Sequence, residues 1–304
     1  MPLLDPRIRL RHVLAFVETS RLGGVARAAE ALGLSQPAVS KSLGELEDIL
    51  GASLFDRSRR SLSLTPAGEL FLRHAEAGIA TLRQGVDALG ELRTGVGVVA
   101  FGALPTVAAG IVPRALLAFS RTPLARRTLV ESGPSQYLLE LLRTAAIDFV
   151  VGRLAHPSAM AGLSFEQLYS DTLVCVTRTG HPLAARRGVD LREIETLQVL
   201  MPPRRAIIRP AVDALLIARG VGGLRNEIET VSNSLGRAYV LMSDAVWIIS
   251  RGVVERDLAA GTLAALDVDM TQTQGAVGIT TRAGAELGPA SRQLLDCIRA
   301  AGGG

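Results

Sequence analysis

The sequence predicts an α/β protein in three consecutive parts: a winged helix-turn-helix, one long helix, and two lobes in which strands and helices alternate. Three observations predict this class. Two short helices joined by a tight turn lie at residues 23–50, an apolar residue recurs about every 3.5 positions over residues 66–93, and strand and helix patterns alternate from residue 96 onward. A chain of 304 residues is long enough for about two domains.

The first part begins with a predicted helix over residues 7–20 and continues with the two-helix motif. Gly33 suits the positive φ that ends the first helix of the motif, and Pro37 suits the first turn of the second. The second helix has an apolar stripe, and its opposite face opens with short polar side chains and one cation: Ser35 (the predicted N-cap), Gln36, Ser40, Lys41 and Ser42. This face is typical of a helix that reads base edges in the major groove. The alternative is an ordinary helical hairpin with a solvated face.

A two-stranded wing is predicted directly after the motif. Leu62 and Leu64 alternate with serines as in a half-buried strand, and Leu54-Phe55 is the expected partner strand. This pairing leaves three arginines near the tip of the wing: Arg57, Arg59 and Arg60. Beside a helix-turn-helix, such a wing would lie along DNA phosphates, whereas the alternative is a solvated loop.

The long helix is predicted over residues 66–93, with Thr65 as its N-cap and Pro66 as its first residue. Its apolar seam consists of Phe71, Ala75, Ile79, Leu82, Val86 and Leu89. A repeat close to 3.5 residues is typical of a coiled coil. We therefore expect a homodimer through residues 66–93, with packing against the C-terminal half as the alternative.

The C-terminal half is predicted to form two α/β lobes that are linked by two crossings, near residues 165 and 268. Successive strand and helix patterns predict parallel sheets with right-handed crossovers. Ligands of such sheets bind at strand carboxyl ends near helix N-termini, so a cleft between the lobes is the expected ligand site. The predicted boundaries are 1–65 for the winged helix-turn-helix, 66–94 for the linker helix, 95–304 for the C-terminal part, about 95–165 and 269–304 for its first lobe, and about 166–268 for its second.

Several classes of protein are disfavoured by the sequence. The C-terminal half has no GxGxxG, P-loop or HExxH motif and no nucleophile beside a base, so an enzyme is not expected. Cys175 and Cys297 are far apart without metal-ligand companions, so no metal site is expected. No apolar run could span a bilayer and the N-terminus lacks a signal-peptide core, which predicts a cytoplasmic protein. The net charge of +4 does not by itself indicate nucleic acid, and Lys41 is the only lysine.

The stretches LSQPAVSKSLGELEDILGASLFDR and LTPAGELFL resemble LysR-type transcriptional regulators, and the similarity spans essentially the whole chain. The resemblance implies a winged helix-turn-helix, a dimerising linker helix and a two-lobed effector domain similar to periplasmic binding proteins. It also implies a homotetramer and three kinds of partner: double-stranded promoter DNA, a small-molecule inducer and RNA polymerase.

Within this family, GALPTVAAGIVPRA and DFVVGRLAHPSAMAGLSFEQLYSD look most like the regulators of protocatechuate (pca) catabolic operons. That narrower resemblance implies an inducer-responsive activator of aromatic acid catabolism, with a carboxymuconate-like acid as the inducer and no cofactor. The alternative is a regulator of sugar uptake or of sugar-binding protein genes.

The resemblance also assigns roles to the residues that match the family's DNA-binding motifs. Gln36 and Pro37 open the recognition helix, where Gln36 would read a base. Ser40 and Lys41 would contact a base or a phosphate. Arg57 matches the arginine of the family's LFxR wing motif, which implies a phosphate contact.

Thr106, beside Leu104 and Pro105, occupies the position of the hydroxyls that the family uses in its effector cleft. A hydroxyl at a helix N-terminus suits a carboxylate. The predicted topology adds further cleft residues at the ends of strands: Arg153, Arg204, Arg205, Ser232, Asn233 and Ser234. Because arginine binds carboxylates in a bidentate manner, these residues favour a ligand with more than one carboxylate. The alternatives are surface salt bridges for the arginines and a simple helix cap for the Ser-Asn-Ser segment.

Overall fold

A computed structural model of the chain describes residues 5–56, 62–94, 98–124 and 127–303. The chain divides into two compact units, one formed mainly by the residues up to Asp87 and the other mainly by the residues after it. The first unit holds the helix-turn-helix and its wing. The second unit holds two five-stranded sheets and their helices.

Three helices open the first unit: α1 (Leu10–Leu22), α2 (Val25–Leu32) and α3 (Gln36–Leu50). Helix α2 ends at Gly33, whose φ of 65° lies in the left-handed region that favours glycine, as the sequence predicts. Helix α1 begins three residues later than predicted. The Ile8 N–H is instead bonded to the Asp5 carbonyl, and the extended Arg9 forms the N-cap.

The predicted two-stranded wing consists of two short antiparallel strands, β1 (Phe55–Asp56) and β2 (Ser63–Leu64), with Phe55 opposite Leu64. Its first strand is Phe55–Asp56 rather than the predicted Leu54-Phe55. The Phe55 ring lies 5.4 Å from the ring of Phe16, which is completely buried in the core of this unit. Burying such a side chain contributes about 2–3 kcal/mol. The predicted tip arginines, Arg57, Arg59 and Arg60, lie outside the described residues.

The long helix α4 (Pro66–Thr94) begins as predicted, with the Thr65 hydroxyl accepting the Gly68 N–H at 3.0 Å. The two halves of its apolar seam have different surroundings. Its first members pack against the core of the first unit: Phe71, Ala75 and Ile79. Its later members are 58–69% exposed: Leu82, Val86 and Leu89. The first half of the seam is therefore covered by its own domain, whereas Leu82, Val86 and Leu89 are exposed.

The second unit contains two sheets, each of mixed direction. The strand order of the first sheet is β4 (Arg127–Ser132), β3 (Val98–Ala103), β5 (Phe149–Arg153), β12 (Gly275–Arg282) and β6 (Leu163–Asp171). The order of the second is β11 (Leu263–Ala265), β7 (Leu173–Arg178), β10 (Val246–Ser250), β8 (Gln198–Met201) and β9 (Asn226–Glu229). The helices of this unit are α5 (Pro105–Ala108), α6 (Ile111–Phe119), α7 (Ser135–Arg143), α8 (Arg209–Ala218), α9 (Asn233–Leu241), α10 (Arg251–Ala259) and α11 (Pro289–Gly302).

The prediction of purely parallel sheets is wrong. Strand β12 runs antiparallel to β5 and β6, and β7 runs antiparallel to β10 and β11, while β3 pairs parallel with β4 and β5. These antiparallel strands arise because the chain crosses between the sheets twice and must return. The first crossing follows Asp171 rather than residue 165, because β6 belongs to the first sheet.

Each lobe has its own apolar core. In the first lobe, Phe101 and Phe149 stack with ring centroids 5.1 Å apart and are completely buried. In the second lobe, Trp247 is 2% exposed and lies over Gly236, where a Cβ atom would come within 2.6 Å of the ring. Among the described residues, no helix is both long and apolar enough to cross a membrane.

Candidate DNA-binding face and effector cleft

The face of α3 that was predicted to contact DNA is exposed at its N-terminal end. The exposed residues are Ser35, Gln36, Pro37, Ser40 and Lys41. The Ser35 hydroxyl accepts the Ala38 N–H at 3.4 Å and caps the helix, as predicted. Val39, Leu43 and Leu46 are buried on the other side. Ser42 does not belong to the polar face, because it is 8% exposed and lies on the buried side.

Lys41 supplies a positive charge to this exposed face of α3. Its side chain is 78% exposed, and its Nζ lies 3.9 Å from Glu45 Oε1, so the ion pair is weak. Glu45 is held more firmly by α1, through Arg11 Nη2 at 3.2 Å and His12 Nε2 at 3.0 Å. Burial raises the pKa of the Glu45 carboxyl, but hydrogen bonds from Arg11 and His12 outweigh it, so the pKa lies below its usual value. Glu45 thereby fixes α3 against α1 and leaves the Lys41 ammonium exposed.

The base of the wing is fixed to α3 by a side chain that the sequence analysis missed. Glu47 Oε1 accepts the N–H groups of Leu54 at 2.7 Å and Phe55 at 3.2 Å. On the other side, the Thr65 hydroxyl donates to the Ser53 carbonyl at 2.7 Å. These hydrogen bonds hold the base of the wing beside the recognition helix.

In the first lobe, the candidate cleft is formed where β3 leads into α5. The Leu104 N–H bonds to the Val151 carbonyl at 3.0 Å, and the Leu104 side chain covers Gly152. Thr106 is 9% exposed, and its hydroxyl has no hydrogen-bond partner within the described part of the chain. A buried hydroxyl without a partner costs about 1–3 kcal/mol, so this position favours a polar ligand.

In the second lobe, the candidate cleft is formed at the start of α9. Ser232 caps this helix by accepting the Leu235 N–H at 3.3 Å, and its hydroxyl lies 3.1 Å from that of Ser234. Asn233 Nδ2 donates to the carbonyl of Pro105 in the first lobe at 2.8 Å. The structure therefore brings Pro105 and Asn233 together across the cleft.

The three arginines predicted for the cleft have different surroundings. Arg204 and Arg205 are exposed in the turn after β8, and Ile207 of the same segment packs against the cores of both lobes. Arg153 is 9% exposed, and its Nη2 donates to the carbonyl oxygens of Thr273 and, at 3.2 Å, Asp171. Burial lowers the pKa of Arg153, and the Asp171 charge opposes this shift.

Arg209, the first residue of α8, is a further arginine with several partners and is not among the predicted site residues. It donates to the Pro202 carbonyl at 2.9 Å, to Glu229 at 2.7 Å and to Asp213 at 2.7 Å. Although burial opposes the shift, these two carboxylates raise its pKa. Arg209 thus joins the segment after β8 to the end of β9. The spacing of Arg209 and Asp213 is the one available sequence signal, since side chains four residues apart meet on a helix.

Comparisons with known proteins define the class. Residues 93–303 match the LysR substrate binding domain, and residues 10–69 match the bacterial regulatory helix-turn-helix protein, lysR family. The chain belongs to the LysR family of transcriptional regulators. Regulators of this family bind promoter DNA and small-molecule effectors and are multimeric, and they are not enzymes.

Among individual proteins, the chain is 45% identical over 302 residues to the HTH-type transcriptional regulator PcaQ of Agrobacterium fabrum, covering 99% of this chain and 97% of that protein. Full-length LysG of Corynebacterium glutamicum with bound effector Arg has a TM-score of 0.66 at 17% identity, covering 97% of this chain and 98% of that chain. Full-length CbnR complexed with its target DNA has a TM-score of 0.58 at 19% identity, covering 97% of this chain and 100% of that chain. The two structures show that the fold is shared.

Proposed function

We propose that this chain activates a pca catabolic operon of the protocatechuate pathway in response to a carboxylic acid of that pathway. The observation that carries the proposal is the 45% identity to PcaQ along 99% of the chain. A sugar-uptake regulator is the less supported alternative. Acting on promoter DNA with RNA polymerase, the protein would work in the cytoplasm.

The effector site of this proposal lies between α5 and the start of α9. The Thr106 hydroxyl would bind one carboxylate of the acid, because it is buried and has no partner among the described residues. The exposed Arg204 and Arg205 would attract the second carboxylate. Leu104 and Pro105 would line the first lobe's side, and the second lobe's side would be lined by Ser232, Asn233 and Ser234.

The DNA site of this proposal is the exposed face of α3 together with the wing. Gln36, between Ser35 and Pro37, would read a base, and Ser40 and Lys41 would contact a base or a phosphate. The arginines of the wing would contact DNA phosphates: Arg57, Arg59 and Arg60.

The quaternary structure of this proposal is a homodimer joined through residues 66–93 that assembles into a homotetramer. The exposed half of the α4 seam supports the dimer, because Leu82, Val86 and Leu89 have exposed apolar side chains at coiled-coil spacing. The exposed edge strand β4 supports further assembly, since Leu129 is 44% and Val130 43% exposed. The functional boundaries would be 1–65, 66–94 and 95–304.

A thermal-shift titration of the full-length chain tests the proposed effector class. A ligand at a hundred times its dissociation constant stabilises the native state by about 2.7 kcal/mol. We expect β-carboxy-cis,cis-muconate to raise the melting temperature, whereas glucose and galactose leave it unchanged. A shift with a sugar and none with the acid would contradict the proposal and favour the alternative.

A further inference from the structure

The two crossings between the lobes are bonded to each other. Strand β6 ends at Asp171 and β7 begins at Leu173, so Thr172 alone forms the first crossing. Thr273 lies in the second crossing and is completely buried. Its hydroxyl accepts the Leu173 N–H at 3.0 Å and donates to the Met270 carbonyl at 2.6 Å.

A single guanidinium contacts both crossings. Nη2 of Arg153 donates to the carbonyl oxygen of Asp171, which precedes the first crossing, and to that of Thr273 in the second. The Asp171 carboxylate is the charge that acts on this buried arginine. Arg153 is therefore the one described side chain that bonds to both Asp171 and Thr273.

The guanidinium of Arg153 occupies space that a glycine leaves open. A Cβ atom at Gly275 would lie 2.1 Å from Arg153 Nε and 2.5 Å from Cζ. The backbone of Gly275 is not in the left-handed region, and the three atoms nearest to a Cβ atom there all belong to the arginine side chain. The guanidinium of Arg153 therefore lies where a side chain at position 275 would begin.

Arg153 is also directly linked to the candidate cleft. It follows Gly152, on which the Leu104 side chain rests, and Leu104 is the residue that leads into Thr106. A displacement of the α5 start would therefore reach Arg153 through one packed contact and one peptide bond. Because the same guanidinium is bonded to Asp171, where the first crossing begins, and to Thr273 in the second, that displacement would act on both together.

We propose that Arg153 is a hinge residue that couples the cleft to both crossings. The hinge contacts are independent of what the protein regulates. Only the coupling to an effector rests on the proposed function.

A double-mutant cycle on the full-length protein tests the hinge. The variants are Arg153→Ala, Gly275→Ala and the double variant. Gly222→Ala is the matched control, because a Cβ atom there would contact nothing within 4 Å. We expect each single variant to lower the melting temperature. Each should also speed amide exchange in the peptide containing Leu173 by about tenfold or more, because buried hydrogen bonds to a charged group are lost.

In the double variant, the alanine at position 275 meets no guanidinium, so its effect adds nothing to that of Arg153→Ala. Additive effects of the two substitutions would overturn the hinge. A Gly275→Ala variant that behaves like Gly222→Ala would also overturn it.

Effector coupling is tested with Gly275→Ala, because Gly275 is not one of the residues proposed to bind the acid. We expect its dissociation constant for β-carboxy-cis,cis-muconate to stay within about twofold of wild type, while the acid-dependent change in its DNA footprint is lost. Weakening of acid binding as large as that caused by Thr106→Val would overturn the coupling. If the wild-type protein does not bind the acid, the proposed function fails, whereas the double-mutant cycle still decides the hinge.

Discussion

The candidate residues of the recognition helix are exposed, whereas several candidate residues of the effector cleft are buried or bonded to other parts of the fold. On α3, Gln36 and Lys41 are exposed and contribute little to folding. In the cleft, Asn233 already bonds to the other lobe, and Arg153 is buried against the crossings. The difference indicates that the DNA-binding face can change without loss of stability, whereas a change at Asn233 or Arg153 alters contacts that join the lobes or the crossings.

The largest expected effect is on the free energy of unfolding, and it tests whether the two compact units unfold independently. Phe16→Ala removes a completely buried ring of the first unit, and Phe101→Ala does the same in the first lobe. Each substitution should cost about 3–5 kcal/mol. We expect Phe16→Ala to abolish DNA binding and preserve acid binding, and Phe101→Ala to abolish acid binding and preserve DNA binding. Calorimetry follows the unfolding of each variant, and binding assays with DNA and with the acid follow the two activities. Equal loss of both activities in each variant would show that the units unfold together.

The next effect concerns the arginine that joins two segments of the second lobe. Arg209→Met leaves the Pro202 carbonyl and the carboxylates of Asp213 and Glu229 without their shared partner, and should destabilise the protein by about 2 kcal/mol. Arg219→Met is the control, since its ion pair with Asp269 is exposed and worth under about 1 kcal/mol. Urea unfolding measures the free energy of unfolding of Arg209→Met and of Arg219→Met. An Arg209 variant no less stable than its control would show that the junction contributes nothing.

These residues also show how far the sequence predicts the structure. The caps and stripe of α3 were predicted because they depend on neighbours within a few residues. Strand β6 was missed because its pairing with β12 joins Asp171 to Gly275, more than 100 residues away. For the same reason, the sequence places Arg153 at the end of a strand but does not predict its bonds to Asp171 and Thr273.

A smaller effect concerns base reading by the exposed face. Gln36→Ala should weaken operator binding by about 1–3 kcal/mol and leave non-specific binding unchanged, because only specific binding uses base contacts. Arg57→Ala is the contrasting variant, which should weaken binding to all sequences and lower the salt slope by about one. Titrations at several salt concentrations distinguish them. Equal losses on operator and random DNA for Gln36→Ala would remove its base-reading role.

The smallest change in the protein tests the central claim, that a buried hydroxyl in the cleft binds a carboxylic acid while a separate face binds DNA. The measurement is the melting temperature of full-length Thr106→Val with and without β-carboxy-cis,cis-muconate, together with its operator affinity. Replacing a hydroxyl that has no partner among the described residues by a methyl group should leave the acid-free protein at least as stable as wild type. We predict that the acid-induced shift disappears, that operator affinity without acid is unchanged, and that Thr106→Ser restores the shift. A full acid-induced shift in Thr106→Val would contradict the account.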